Sequence, residues 1–386
     1  MTALQDAPSE PRAGAAPRRR TRIAYLVHGV GGRETGVRTK ILGQAASWSD
    51  LDPDVEVGLF VRCEAGTEHA WRGEPLVVAV RSSRLGIVGR FVARERLSVQ
   101  LARWRPDVVY HRQSTVSPSV LALAAALPMV IEINSDDLEE LRMRSPLRYW
   151  YARVTRDRLL RRARRIVVVT NELARHPSIL RLGRPVSVIP NSIDLGDYPE
   201  LPPPESQGPR LVFIGSPGLA WAGVDKIARL AAHFPAWRFH VVGPGRAELP
   251  GVPANVVLHG PMEPEEYLSV VAQSDVAIGP IAHHRVGLSE ASSLKVAEYL
   301  AYGLPVILGT AQTAFPDGAP FLLQLPNTEE NVDAATDEIR AFVERWHARR
   351  VPREAISAID SSVVERERLV AILGAIGERA TRVPLA

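Results

Sequence analysis

Two glutamates, Glu290 and Glu298, lie eight residues apart around the start of a predicted helix. Ser292 or Ser293 would cap this helix, so that Glu290 lies in the preceding loop and Glu298 lies two turns inside. The first helix amides and the ammonium group of Lys295 would bind an anion, and the carboxylates would accept hydrogen bonds from hydroxyl groups. The spacing therefore suits a ligand with hydroxyl groups at both ends and a phosphate between them.

A glycine-rich segment, His28–Gly36, follows a predicted strand and precedes a predicted helix. Glycines such as Gly31 and Gly32 let the backbone approach a ligand, and a helix N-terminus offers free N–H groups to an anion. Glu34 occupies the third glycine position of a dinucleotide fingerprint, which argues against a nicotinamide-dependent oxidoreductase. A ligand-binding loop and a tight turn without a ligand both remain open interpretations.

Short β-branched runs alternate with helical patterns on both sides of a proline-rich segment, residues 198–209. This alternation predicts βαβ units and two parallel sheets, each doubly wound. The predicted strands are 22–27, 55–62, 75–80, 107–111, 129–133, 165–170 and 185–190, and then 210–215, 237–243, 255–260, 275–279 and 304–309. The predicted C-terminal helices are 329–347 and 363–376. Because ligands bind at the carboxyl ends of such strands, we expect a cleft between the two domains.

The 386 residues suit two domains, and 46% hydrophobic residues provide enough apolar mass for two cores. The longest apolar stretch, Val120–Ile131, is too short to cross a bilayer. The single cysteine, Cys63, excludes an internal disulfide framework and suits a reducing cytoplasm. Residues 1–20 contain no apolar core, so we expect a disordered basic tail rather than a secretory signal.

Positive charge is concentrated in the first half of the chain. Residues 1–200 hold 31 Lys/Arg and 22 Asp/Glu, whereas residues 201–386 hold 16 and 21. The segment Leu141–Arg165 carries ten arginines against one acid, and it contains an aromatic group, Tyr149–Tyr151. An anionic partner is therefore expected. No zinc-finger spacing, RNP-type strand or recognition helix points to nucleic acid.

Two interpretations of the segment Leu141–Arg165 stay open. As one helix it would place four arginines on a single face, and the aromatic rings would suit peripheral contact with an anionic membrane at its inner face. The other interpretation is a solvated helix face. The four arginines are Arg158, Arg161, Arg162 and Arg165.

The pattern Glu-x7-Glu, followed by Tyr299–Ile307, resembles the donor-binding signature of family 4 glycosyltransferases, which are retaining enzymes of GT-B architecture. Pro190–Asp194 is similar to the segment that precedes the hinge in this family, with Ser192 in place of a glycine. Leu211–Gly215 resembles the first strand of the donor domain. The resemblance covers roughly residues 22–310.

The resemblance implies an acceptor-binding domain over residues 21–197, a hinge over 198–209 and a nucleotide-sugar domain over 210–362. Residues 363–386 would form a C-terminal helix that packs back on the N-terminal domain. The donor would be a UDP- or GDP-linked sugar, with no metal and no further cofactor.

The resemblance also implies roles for single residues. Glu290 would contact the transferred sugar and Glu298 the ribose, while Lys295 and the amides around Ser292, Ser293 and Leu294 would hold the diphosphate. Gly31, Gly32, Gly215 and Ser216 would also lie at the donor. Arg112 and Glu132 close inner strands of the first domain and would face the cleft, so they are candidates for acceptor binding, together with Asn134. Arg112 and Glu132 could equally form a structural ion pair.

Two cations usual in the family are replaced here by Ser216 and Ala222, and Lys295, Lys226 or Arg246 would have to compensate. The predicted function is transfer of a sugar to an acceptor hydroxyl, of a cell-envelope glycan or a lipid-linked intermediate. The alternative is a catalytically silent protein that binds a sugar nucleotide or a partner. A pair of histidines, His283 and His284, is expected to be solvated rather than metal-binding.

Overall fold

The structure, a computed structural model, describes residues 19–28, 35–63, 67, 71, 76–81, 86–247 and 249–377. The described residues form a seven-stranded sheet, a six-stranded sheet and a small two-stranded sheet. The neighbouring strands of both large sheets are parallel. The predicted α/β class with two doubly wound domains is therefore confirmed.

The first sheet has the order β3-β2-β1-β4-β5-β6-β7. Its strands are β1 (Thr21–His28), β2 (Val55–Cys63), β3 (Leu76–Arg81), β4 (Val108–Arg112), β5 (Met129–Ile133), β6 (Arg165–Val168) and β7 (Val186–Val188). The helices of this half are α1 (Thr35–Leu51), α2 (Gly86–Trp104), α3 (Pro118–Ala126), α4 (Asp137–Arg144), α5 (Pro146–Leu160), α6 (Asn171–Arg175) and α7 (Pro177–Leu180). All five residues of β5 are buried, as expected for a strand covered on both faces.

The second large sheet has the order β10-β9-β8-β11-β13-β15. The strands of this half are β8 (Arg210–Ile214), β9 (Arg238–Val242), β10 (Val256–Gly260), β11 (Val276–Ile278), β12 (Glu290–Ala291), β13 (Val306–Leu308), β14 (Ala311–Gln312) and β15 (Leu322–Gln324). Its helices are α8 (Val224–His233), α9 (Pro264–Ala272), α10 (Leu294–Ala301), α11 (Asn331–Ala334), α12 (Thr336–Trp346) and α13 (Ser361–Gly377). β12 pairs with β14, so that Glu290 lies opposite Ala311.

The side chains of the first sheet alternate between two cores. Tyr25 and Val27 of β1 belong to the core beneath α1 and α13, whereas Ala24 and Leu26 belong to the opposite core, which Leu97 of α2 also joins. This alternation also determines which face of the sheet the last side chains of each strand occupy.

The C-terminal helix α13 packs against α1 of the first half and against the end of β4. Ile372 and Leu369 of α13 enter the same core as Trp48 of α1. No helix in the described part of the chain is long and apolar enough to cross a membrane.

Two sequence-based helices differ from the structure. The predicted helix 329–347 is divided into α11 and α12, because Asn331 anchors the first of them to α8 through the ammonium of Lys226. The interpretation of Leu141–Arg165 as one helix with four arginines on a single face is also wrong. α5 ends at Leu160 and Arg165 begins β6, since the Arg164 amide donates to the Met129 carbonyl at 2.8 Å.

Candidate active site

A cavity of about 420 Å³ lies between the two halves of the chain. The first turns of α1 line one wall, with Gly36, Thr39 and Lys40. Residues 192–199, which lead from the first half to the second, line another wall, and the starts of α9 and α10 close the third. The cavity thus lies where two parallel sheets are expected to share a ligand.

Glu298 and Lys295 enter this cavity from α10, one helical turn apart. The Lys295 ammonium lies 2.7 Å from the Glu298 carboxylate, and its side chain is 33% exposed. Tyr267 of α9 donates its hydroxyl to the same carboxylate at 2.5 Å, and the ammonium also lies over its ring, 5.3 Å from the centroid. The carboxylate can accept further hydroxyl groups, and the ammonium remains open to an anion.

Three tyrosines surround Glu298. Burial, together with the Glu298 charge, raises the pKa of Tyr267 and Tyr198 well above the usual value, and that of Tyr302 to about 12. The rings of Tyr198 and Tyr302 meet edge to face, with centroids 5.1 Å apart. These phenols stay protonated at neutral pH, so this end of the cavity offers aromatic faces and neutral hydroxyl groups.

Lys40 of α1 belongs to a buried network behind the cavity wall. Its ammonium lies 3.0 Å from Glu132 and donates to Asn134 at 3.0 Å and to Asn191 at 2.6 Å. Burial lowers the pKa of Lys40 to about 8, although Glu132 acts in the opposite direction. Burial alone would raise the pKa of Glu132, but Lys40 and Arg368 hold it well below its usual range.

Arg368 of α13 ties the same network to the C-terminal helix. Its guanidinium lies 3.2 Å from Glu132 and 2.9 Å from Glu365, and it donates to the Pro190 carbonyl at 2.7 Å. Glu365 also accepts from the Ser192 hydroxyl at 2.6 Å. The loop that lines the cavity is therefore held in place by α13.

The three candidate acceptor residues lie at this network. Glu132 is fully buried, and Arg112 lies 3.5 Å from its carboxylate, so the structure shows the ion pair between these two. Asn134 accepts from Lys40. None of the three is among the residues that line the cavity. Their assignment to an acceptor stays a prediction.

Glu290 lies away from the cavity and forms a reciprocal contact between the two halves. Its carboxylate accepts from the Asn171 side chain at 2.9 Å, from the Glu172 amide at 2.7 Å and from Thr313 at 2.8 Å. The Glu172 carboxylate in turn accepts from the amides of Ser289 and Glu290, both at 3.0 Å. Partial burial acts to raise the pKa of Glu290, but these hydrogen bonds lower it overall.

The start of α10 is also joined to the first half. Ser293 is the N-cap of α10, and its side chain accepts from the Val296 amide. The Ser292 hydroxyl instead accepts from the Asn191 amide at 2.7 Å. Leu294, the first helical residue, lines the cavity beside Lys295. The N-terminus of α10 therefore lies beside this cavity.

Ser216 and Ala222, the two positions where the family resemblance leads us to expect cations, follow β8. Ser216 is exposed, and Ala222 is buried in the core. Lys226 does not compensate, because its ammonium is buried and donates to the carbonyls of Ile281 and Thr328. Arg246 is exposed in the loop after β9, the strand next to β8. Of the three cations expected to compensate, Lys295 is therefore the one that lines the cavity.

Gly215 follows β8 at a close approach of two loops. A Cβ at the neighbouring Gly243 would lie 1.8 Å from the Gly215 carbonyl oxygen, and Gly243 has φ +99°. Only glycine fits that position. Gly31 and Gly32 lie outside the described residues.

The histidine pair does not form a metal site within the described ranges, where no group of three or more suitable ligands is found. His283 is buried and stacks on Trp221, with ring centroids 5.3 Å apart. His284 lies 2.9 Å from Glu329. Both histidines therefore have structural partners, and His283 is not solvated as the sequence suggested.

Sequence reasoning missed several residues around the cavity and the domain contact. These are Lys40, Asn171, Glu172, Asn191, Tyr267 and Thr313. Each contributes through a partner on a distant element, and no local spacing marks them. The one local signal for any of these residues is the sequence Thr170-Asn171-Glu172, in which a glutamate lies beside a helix cap.

Comparison with known proteins gives two family matches. Residues 36–197 match the model of Glycosyltransferase Family 4, and residues 208–344 match that of Glycosyl transferases group 1. No curated protein matches.

Three solved structures share the fold at low sequence identity. The lipopolysaccharide outer core galactosyltransferase WaaB in its apo form is 16% identical, with 92% of this chain and 99% of that chain covered and a TM-score of 0.62. Sucrose-phosphate synthase from Thermosynechococcus elongatus is 14% identical, with 92% and 98% covered and a TM-score of 0.62. An alpha-glucosyltransferase in complex with UDP-glucose and DNA containing an abasic site is 13% identical, with 92% and 100% covered and a TM-score of 0.59.

Proposed function

The chain belongs to the family 4 glycosyltransferases of GT-B architecture, and from this we propose that it is a retaining enzyme that moves a sugar from a nucleoside diphosphate to an acceptor hydroxyl. The observation that carries the proposal is the cavity between the domains, into which Glu298 and Lys295 project together from the first turns of α10. A carboxylate for ribose hydroxyls stands beside an ammonium for the diphosphate.

The chemistry of this cavity favours a nucleotide over a simple sugar. The rings of Tyr198, Tyr267 and Tyr302 offer apolar faces near Glu298, which suit a nucleoside. Lys295 and the amides at the start of α10 would stabilise the charge that develops on the departing diphosphate, a contribution often worth several kcal/mol. No metal enters this proposal. UDP is the first nucleotide to test, because a solved structure of the same fold contains UDP-glucose.

Glu290 contacts α6 of the other domain and would still have capacity to bind the transferred sugar. Its carboxylate already accepts three hydrogen bonds, two of them from the other domain. A carboxylate has about four lone-pair sites, so one remains. We propose that Glu290 both closes the domains and orients the sugar.

Hydrolysis of UDP- and GDP-sugars, followed by proton NMR of the released sugar, tests this proposal without the acceptor. The proposed enzyme releases the sugar slowly with retained anomeric configuration, and Glu298→Ala abolishes release, whereas the exposed control Glu344→Ala does not. An inverted product contradicts the retaining mechanism. A complete lack of turnover in the presence of nucleotide binding favours the catalytically silent alternative.

We also propose that the first domain docks on an anionic membrane near a lipid-linked acceptor of the cell envelope. α5 exposes Leu147 (79%), Trp150 (62%) and Val154 (58%) at helical spacing. α3 packs against both α5 and α2 on this side of the sheet. Apolar side chains among arginines suit the boundary between headgroups and acyl chains.

Co-sedimentation with vesicles tests the docking proposal. Binding to vesicles that contain phosphatidylglycerol should exceed binding to phosphatidylcholine, and Leu147→Ser should weaken it. The matched control is Val370→Ser, another highly exposed apolar position, on α13 (67%). Equal binding to both kinds of vesicle, or none, contradicts docking.

A further inference from the structure

Asn191, in the segment that follows β7, joins the two halves of the chain at the start of α10. Its side-chain nitrogen donates to the Ser292 carbonyl at 2.5 Å, and its backbone amide donates to the Ser292 hydroxyl at 2.7 Å. Its side-chain oxygen accepts from the Lys40 ammonium of α1 at 2.6 Å. Because Ser292 comes directly before Ser293, the N-cap of α10, a lysine of the first half is linked through one residue to the beginning of this helix.

The two partners of the Asn191 side chain allow only one orientation of its amide group. An ammonium group only donates hydrogen bonds, and a carbonyl oxygen only accepts them. The amide oxygen must therefore face Lys40, and the amide nitrogen must face Ser292. Without Lys40 the oxygen would lose its donor, so that the amide would no longer be held in the orientation that reaches Ser292.

The Lys40 ammonium is itself fixed by its other partners. It has three protons, and its three acceptors are Asn191, the Glu132 carboxylate at 3.0 Å and the Asn134 side chain at 3.0 Å. Lys40 is 6% exposed, and it lines the cavity that contains the proposed donor site. Since all three protons are used, Lys40 has none left for a ligand, and its effect on a ligand must pass through a neighbour.

The segment before α10 is held by the first half at a second point. The Glu172 carboxylate of α6 accepts from the backbone amides of Ser289 and Glu290, both at 3.0 Å. Asn191 then holds Ser292, further along the same segment. The chain that leads into α10 therefore takes its position from two contacts with the first half.

We propose that Lys40 is a positioning residue for glycosyl transfer, and that it acts through Asn191 on Ser292 and so on the first turn of α10. This assignment rests on the proposed function, because Lys295 lies in that turn and would hold the diphosphate. A misplacement of about 1 Å in a binding group can cost about a hundredfold in rate. Lys40 thereby couples the contact between the two halves of the chain to the geometry of the donor site.

The charged groups that face Lys40 come from β4, β5 and α13. Burial lowers the pKa of Lys40 to about 8, with Glu132 acting against this shift and Arg112 and Arg368 acting with it. Glu365 of α13 lies 2.9 Å from Arg368. Burial raises the pKa of two nearby phenols well above the usual value, so that they stay protonated; these are Tyr25 of β1 and Tyr110 of β4. Lys40 therefore changes charge near pH 8.

The loss of this proton should be visible in sugar release. Below about pH 8 the ammonium supplies all three of its acceptors, and above it the neutral amine supplies only two. If Asn191 transmits the change to Ser292, turnover falls as the pH rises through this value. A decline that disappears when Asn191 is replaced distinguishes positioning from mere support of the fold.

Sugar release from the sugar nucleotide, measured as kcat and KM at pH values on either side of 8, tests the proposal. Asn191→Ala should lower kcat by about tenfold or more and remove the decline at high pH, because the titration of Lys40 no longer reaches Ser292. The matched control is Asn255→Ala, since Asn255 is a partly buried asparagine whose side chain donates to three carbonyls away from the cavity. Equal losses of kcat in both variants, or an unchanged decline in Asn191→Ala, overturn the proposal.

Lys40→Met, alone and combined with Asn191→Ala, tests the path between the two residues. The combined variant should be no slower than Lys40→Met, because both changes break the same link. Losses of kcat that multiply would mean that Lys40 and Asn191 act independently, which overturns the proposal. If Lys40→Met does not fold, Asn191→Ala carries the test alone.

Hydrogen exchange of the full chain, followed by mass spectrometry, gives a readout that needs no turnover. The amides of residues 289–294 should exchange faster in Asn191→Ala and in Lys40→Met than in the wild-type protein, and Asn255→Ala should leave them unchanged. Unchanged exchange of this segment in Asn191→Ala overturns the proposal. If the wild-type protein releases no sugar and the exchange still changes as expected, the proposed function fails and the link from Lys40 to α10 remains.

Discussion

Arg368→Met is expected to lower the free energy of unfolding by about 3 kcal/mol, because it removes a counter-ion from two buried carboxylates. The guanidinium is fully buried and lies 3.2 Å from Glu132 and 2.9 Å from Glu365, both of which are fully buried themselves. Methionine keeps much of the side-chain length and apolar surface, so the lost packing contributes little.

The size of this effect follows from the partners that each carboxylate keeps. Breaking a buried ion pair costs about 3–5 kcal/mol when the remaining charge has no partner. Here Glu132 still has Lys40 at 3.0 Å, and Glu365 still accepts from the Trp48 indole at 2.9 Å and from Ser192 at 2.6 Å. The expected value therefore lies at the lower end of that range.

Urea unfolding, followed by circular dichroism, measures the effect. Arg366→Met is the matched control, because Arg366 is exposed on the same helix and should change stability by less than about 0.5 kcal/mol. The paired variant Glu365→Gln with Arg368→Met should recover part of the loss, since Arg368 is the cation that pairs with the buried Glu365 carboxylate. If both single arginine variants unfold at the same urea concentration, the buried network does not hold α13 on the first domain.

The remaining predictions concern the site and its pH dependence. Lys295→Ala should reduce donor turnover at least tenfold, because it removes a charged contact worth about 1.5–3 kcal/mol, while the exposed control Arg345→Ala should not; near-wild-type turnover would remove Lys295 from the site. Asn171→Ala should strengthen binding of the intact sugar nucleotide that the enzyme hydrolyses by up to about tenfold, because it frees an acceptor position on Glu290, and it should leave UDP binding unchanged. If calorimetry shows equal changes for both ligands, Glu290 does not bind the sugar. Burial lowers the pKa of His111 to about 4, so the unfolded chain binds more protons than the folded one between about pH 4 and 6.5, and stability should fall on acidification by up to about 3 kcal/mol from this residue. Urea titrations at pH 7 and 4.5 should show a smaller fall for His111→Gln, and an identical fall would contradict the assignment.

Local pattern was sufficient for the fold. Strands such as Met129–Ile133 are short, apolar and bounded by turn residues, and the helices between them have lengths that require parallel crossovers. The cap at Ser293 and the placement of Glu298 inside α10 also follow from local sequence. These features depend on neighbours within a few residues, which a sequence displays directly.

The contacts that decide the site depend on residues far apart in the chain. Asn191 reaches Lys40 across 151 positions, and Glu172 reaches Glu290 across 118. Spacing shows which face of a strand or helix a residue occupies, but it does not show which distant element packs there. For the same reason the sequence could not show that the Lys226 ammonium donates its hydrogen bonds to the carbonyls of Ile281 and Thr328.

The most direct test of the central claim is a thermal-shift panel with UDP, GDP, ADP, CDP and NAD(P). A ligand at 100 times its dissociation constant adds about 2.7 kcal/mol of stability, which a melting curve resolves. We expect one nucleoside diphosphate to stabilise the wild-type protein and Glu344→Ala equally, and Glu298→Ala to lose that stabilisation. No shift with any diphosphate, or an undiminished shift in Glu298→Ala, would contradict a nucleotide-sugar site in the cavity between the domains.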